Sequence, residues 1–153
     1  MKILIINGPN LNFLGIREKE IYGQQDYNYL CSIIADKARE TGTDIECWQS
    51  NHEGAIIDKI QEAYFNGTDG IVINPGAYTH YSYAIHDALK SVENIYKVEI
   101  HISDINARES FRANSVTAPA CDLQIAGRGL KGYLDAIDAV IASKGYSSQV
   151  RDL

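Results

Sequence analysis

Two pairs of residues in this chain have the types and spacing for proton transfer. Glu99 and His101 stand two apart in the apolar run KVEIHI at 97–102, and a strand's period of two puts both side chains on one face. A carboxylate behind an imidazole orients it, and an imidazole delivers a proton near neutral pH. The same spacing also suits a buried pair that only packs. Arg17 and Tyr22 lie in the polar stretch from Asn7 to about Gln25. A free tyrosine titrates at about 10, but a neighbouring guanidinium stabilises the phenolate and lowers that value. Together they offer a base to set against a histidine acid; singly, each is equally a solvated side chain on a flexible segment.

Other polar residues collect where apolar runs end. Asn7, Asn10 and Asn12 follow the first, Asn51, His52 and Glu53 the second, Asn74, Thr79 and His80 the third, and Ser103 joins His101 after the fourth. A single asparagine is most simply a turn residue, but a group of them supplies donors and acceptors without charge, which suits a small oxygen-rich ligand better than a polyphosphate. The backbone amides at Ile102 and Ser103 leave a strand and open a helical region, a setting that favours a carboxylate. Arg112 reads either as a helix-surface residue or as a ligand contact.

Several chemistries lack their residues. No GxGxxG follows the first strand and no GxxxxGK[ST] occurs anywhere, so dinucleotide and P-loop binding fail on the motif. No lysine falls at the carboxyl end of a strand except Lys19 in the polar stretch, which argues against Schiff-base chemistry. The four histidines have no metal-ligand spacing, so no metal and no other cofactor is expected unless His80, His101 and Glu53 converge in space.

These residues need a scaffold, and the apolar pattern supplies one. KILII at 2–6 is a continuous run, the mark of a strand covered on both faces. Helical periodicity follows from Asp26 to Thr41, with Gly42 as its stop. Further strands are expected at 43–48, 70–74, 97–102 and 122–126. Helices are expected at 55–65, near 80–91, as a short piece around 107–114, and from about 129 to 143. Strands alternating with helices predict a flavodoxin-like, doubly wound, five-stranded parallel sheet in a three-layer α/β/α arrangement. Ligands of such sheets bind outside the carboxyl ends of the strands, where the polar residues gather. The connection at about 13–25 is longer than usual, and with Gly15 and Gly23 near its ends it is expected to be a mobile segment that closes over a ligand.

The chain has 153 residues, room for a single domain over 1–153. Its formal charge of −6 disfavours nucleic acid and anionic membrane. With 45% hydrophobic and 22% charged residues, and no apolar run long enough to span a bilayer, a globular protein is expected. Cys31, Cys47 and Cys121 have no CxxC spacing and fit small buried residues in a reducing cytoplasm.

NGPNLNFLG at 7–15, Arg17 and Tyr22-Gly23, QSNHEG at 49–54, INPGAYTHYS at 73–82, VEIHIS at 98–103 and RESFR at 108–112 resemble, in order, the motifs of type II 3-dehydroquinate dehydratase. The resemblance spans about residues 3–140. It implies dehydration of 3-dehydroquinate to 3-dehydroshikimate through an enolate, without metal or Schiff base, in the shikimate pathway or in quinate catabolism. Carried over by motif, Tyr22 is the base, Arg17 keeps it ionised, Asn12 holds the enolate, and His101 is the acid with Glu99 behind it. Asn74, His80, Arg112 and the Ile102-Ser103 backbone grip the substrate, and Asp87 reaches a neighbouring subunit's site in a homo-oligomer, a dodecamer of trimers. Lys19, Tyr81, Asp104 and Leu123 depart from the family pattern; of these Asp104 puts a negative charge beside the proposed carboxylate site. The rival readings are a non-catalytic binding module on the same fold and a receiver-type signalling domain. The latter requires acidic residues where this chain has Asn7, Asn10 and Asn74.

Overall fold

The computed structural model describes residues 1–16, 20 and 25–151, the last six by backbone alone. Five strands form one parallel sheet: β1 (Lys2–Asn7), β2 (Asp44–Gln49), β3 (Gly70–Asn74), β4 (Tyr96–His101) and β5 (Leu123–Ala126), in the order β2-β1-β3-β4-β5. This is the flavodoxin-like order. Four longer helices appear among the described residues: α1 (Tyr27–Thr41), α2 (Glu53–Phe65), α3 (Tyr83–Ser91) and α4 (Lys131–Arg151).

The alternation along β1 builds the two faces. Ile3 and Ile5 pack with Val72, Val98 and Ile100 against Leu30 and Ile34 of α1 and Tyr133, Ile137 and Val140 of α4. Leu4 and Ile6 pack with Ile71 and Ile73 against Ile56 and Ile60 of α2 and Ile85 and Leu89 of α3. The central strands β1 and β3 thus bury both faces, which explains their unbroken apolar runs. On β4 the second face carries Lys97, Glu99 and His101 instead of aliphatics, all buried.

Local signals set the helix limits. Asp26 accepts the Tyr29 amide at 2.8 Å to start α1, and Gly42 ends it in the left-handed conformation (φ 66°) with its N–H on the Ala38 carbonyl. Ser82 caps α3 by accepting the Ile85 amide, and its hydroxyl donates to Glu53 at 2.6 Å.

Three expectations need correcting. The short helix near 107–114 is two 3-10 turns, Ile105–Ala107 and Ser110–Arg112, because Arg108 between them is extended (φ −99°, ψ −162°). The last helix runs to Arg151, beyond the apolar periodicity that suggested 143. The three cysteines are free and half-buried rather than buried, with the sulfurs of Cys31 and Cys47 3.6 Å apart. No helix among the described residues is long and apolar enough to cross a membrane.

Candidate active site

The cleft opens at the carboxyl ends of β1, β3 and β4. Register places Asn7, Gln49 and Asn74 level with one another, so the segments leaving β1 and β3 start side by side. The Gly8 amide donates to the Asn74 carbonyl at 2.7 Å. A Cβ on Gly8 would lie 2.6 Å from the Pro75 carbonyl oxygen, so this approach requires glycine. Asn10 adopts φ 69°, and its amide donates to Asn51 Oδ1 at 3.0 Å. The turn reading of that asparagine therefore holds, although the residue also borders the cleft.

Of the residues singled out from sequence, Asn74, His80, His101, Ile102, Ser103 and Arg112 line this cleft together. Glu99 lies behind His101, its carboxylate Oε2 3.0 Å from His101 Nε2. Asn12 is exposed at the side, accepting from Gln49 Nε2 at 3.4 Å. Asp87 is exposed on α3 and does not line the cleft. Arg17, Tyr22, Lys19 and Gly23, and most of the proposed closing segment, fall outside the described residues.

Two carbonyls fix the turn after β4: Ile102 accepts from the Gly129 amide at 3.0 Å and Ser103 from the Gly127 amide at 3.2 Å. Asp104 next to them is exposed, and its carboxylate accepts the Asn106 amide at 3.0 Å to cap the following turn. Its side chain does not line the cleft. Arg112 donates through Nε to Glu109 at 2.8 Å and lies 4.8 Å from the Phe111 ring centre. His80 is anchored by Nδ1, 2.8 Å from the Asn114 carbonyl, so Nδ1 donates and Nε2 is left as an acceptor.

Glu99 is wholly buried yet surrounded by donors. Thr117 and Thr79 bond Oε1, the latter at 3.1 Å, while Ser115 at 2.9 Å, Gln124 at 2.8 Å and His101 bond Oε2. Burial is the largest influence on its acidity and opposes ionisation. The bonds and charge of His101 with the bonds from Thr117 and Gln124 outweigh it, so the carboxyl sits below its ordinary value. An ionised Glu99 fixes the proton of neutral His101 on Nε2 and leaves Nδ1 as the ring's remaining acceptor. Nδ1 then donates a proton only from the imidazolium form.

Sequence reasoning missed several of these residues. Thr79 was noted as a strand-end residue, but Ser115, Thr117 and Gln124 come from separate segments and carry no local motif. Arg108 borders the cleft beside Arg112, and extended backbone in a segment read as helix hid it. Asn7 was grouped with ligand candidates, yet it is fully buried and accepts from the Tyr133 hydroxyl at 2.6 Å. Glu53 is engaged with Ser82 rather than with His80 and His101. Among the described residues, no three His, Cys, Asp or Glu side chains are grouped to hold a metal.

The family model described as dehydroquinase class II matches residues 1–141. A 3-dehydroquinate dehydratase of Lachnospira eligens is 66% identical over 141 residues, covering 92% of this chain and 96% of that protein. The crystal structure of the type II dehydroquinase of Butyrivibrio crossotus is similar at TM-score 0.91 and 68% identity, covering 92% of this chain and 97% of that one. A type II dehydroquinase structure from Propionibacterium acnes gives 0.86 at 41% identity, with 92% and 96% covered.

Proposed function

This chain belongs to the class II dehydroquinase family, the 3-dehydroquinate dehydratases, and on that premise we propose how its residues divide the reaction. The substrate loses a proton from the carbon beside its ketone and a hydroxyl from the next carbon. The electrons of the broken C–H bond first form an enolate and then expel the hydroxyl, giving 3-dehydroshikimate and water. Tyr22, ionised beside Arg17, takes the proton, and Asn12 holds the enolate oxygen. His101 protonates the departing hydroxyl from Nδ1.

The observation that carries this reading is the Glu99–His101 pair in the cleft, at 3.0 Å. A buried carboxylate on Nε2 stabilises the imidazolium and presents the opposite nitrogen to the ligand. Asn74, His80 and Arg112 supply hydrogen bonds to hydroxyls, and the Ile102 and Ser103 amides take the carboxylate. Base and acid must hold opposite protonation states at one pH, and a guanidinium near the tyrosine and a carboxylate on the histidine favour that arrangement.

Residues 1–153 serve as one catalytic domain acting in the cytoplasm, in the shikimate pathway. The protomers assemble into trimers and then a dodecamer, with Asp87 completing a neighbour's site. Its exposure on α3, flanked by Tyr81 and Tyr83 at 60% and 70% exposure, supports an interface there. A monomer in light scattering would contradict the assembly.

The test is ultraviolet absorbance on mixing protein with 3-dehydroquinate, since elimination creates a conjugated enoic acid. Rising absorbance that survives borohydride treatment with substrate present supports the reading. A folded protein giving no rise would overturn it in favour of a binding module.

A further inference from the structure

Besides the bond from His101, its neighbour on β4, Glu99 receives four bonds from three segments of chain. Thr79 follows β3, Ser115 and Thr117 belong to the segment between β4 and β5, and Gln124 lies on β5. Thr79 and Thr117 are fully buried. The Thr79 hydroxyl lies 2.8 Å from the hydroxyls of both Ser115 and Thr117, so the three form a continuous patch against the carboxylate. Ser115 is itself held, accepting the Ala118 amide at 3.0 Å. Gln124 Nε2 can only donate, and so can the imidazolium, so the shell is built around an acceptor without a proton.

We propose that Thr117 and Gln124 are positioning residues for the reaction: with Ser115 and Thr79 they keep Glu99 ionised and in the one orientation that presents His101 Nδ1 to the cleft. This rests on His101 as the acid. The two oxygens are held differently, Oε1 by hydroxyls alone and Oε2 by Ser115, Gln124 and His101. Rotation of the carboxylate would break bonds on both, and the hydrogen bond to His101 would lose its direction. An amide and a hydroxyl outside the cleft lining thereby govern the acid.

The charged and titratable surroundings are few. His101 shares the face of β4, and Cys121 nearby is pushed up to about 12, first by burial and then by the charge of Glu99. Lys97, two residues before Glu99, spends its Nζ on the Val92 and Ile95 carbonyls at 2.9 and 3.1 Å. Asp122 accepts the Lys97 amide at 2.8 Å. On α3, His86 is anchored to the Val116 carbonyl at 2.8 Å.

The test compares Thr117→Val, which keeps the shape and removes the donor, with Thr117→Ser, which keeps the donor, and with Gln124→Met on the edge strand. Infrared titration follows the buried protonated carboxyl band of Glu99, assigned by its loss in Glu99→Gln. The midpoint should rise by about one pH unit in Thr117→Val and Gln124→Met, kcat should fall about tenfold, and KM should hold. Thr117→Ser should recover most of both effects. An unmoved midpoint, or a loss confined to KM, would overturn the proposal, and Gln124→Met decides it if Thr117→Val fails to fold. A His101→Ala enzyme that still turns over would instead overturn the reading of His101, whatever the infrared result.

Discussion

The hydroxyl of Tyr133, on the last helix, receives the Asn74 side-chain amide at 2.9 Å beneath the cleft. The same hydroxyl donates to Asn7 Oδ1 at 2.6 Å, and Asn74 Oδ1 accepts the Gly76 amide at 3.1 Å. Burial pushes the phenol far above its ordinary value, so it stays neutral and able to donate. A helix on one side of the sheet thus sets the orientation of an asparagine that lines the cleft.

Tyr133→Phe should therefore affect both stability and affinity. It leaves the buried amides of Asn7 and Asn74 each short of a partner, at a cost of about 1–3 kcal/mol. Denaturant unfolding should register that loss, and KM should rise more than kcat falls. Unchanged values of both would show that Asn74 is held by other contacts.

Gly8→Ala introduces a methyl 2.6 Å from the Pro75 carbonyl oxygen. The segments after β1 and β3 must separate, costing about 1–3 kcal/mol and distorting the cleft between them. A fully active variant of wild-type stability would contradict the close approach.

Asp104→Asn should be nearly silent. The side chain caps a turn through the Asn106 amide, a role asparagine fills equally, so stability should stay within about 0.5 kcal/mol. With the carboxylate engaged by the Asn106 amide and absent from the cleft lining, KM should not improve. A large gain in affinity would mean that Asp104 does bear on the substrate.

The depressed pKa of Glu99 has a consequence for stability. Its folded value lies below the ordinary carboxylate value, so its contribution is complete above the unfolded value of about 4.3. That contribution is lost as pH falls through the folded value. Wild-type protein should lose stability faster than Glu99→Gln across that acid range. Parallel stability curves would contradict a depressed folded value.

Much of this was legible in the residues. Continuous apolar runs marked β1 and β3 because each is covered on both faces, and Gly42 marked a helix end because its left-handed φ suits glycine. The period of two brought Glu99 and His101 together correctly. What was not legible depended on tertiary placement. Gln124 reaches Glu99 only because β5 pairs with β4 in a register that sets the two side by side. Tyr133 meets Asn7 across 126 positions of chain. Asn7 and Asn74 look alike as strand-end asparagines, yet the first is sealed under the sheet edge and the second opens to the cleft. The two turns around Arg108 read as one helix because their composition permits it, and an extended backbone at a single residue decides otherwise.

The division of labour between Tyr22 and His101 is tested most directly by hydrogen exchange in deuterium oxide, with 3-dehydroquinate followed by proton magnetic resonance. His101→Ala should still exchange the proton beside the ketone, because the base remains, while product formation collapses. Tyr22→Phe should neither exchange nor form product. Exchange persisting in Tyr22→Phe, or undiminished product formation by His101→Ala, would contradict the account.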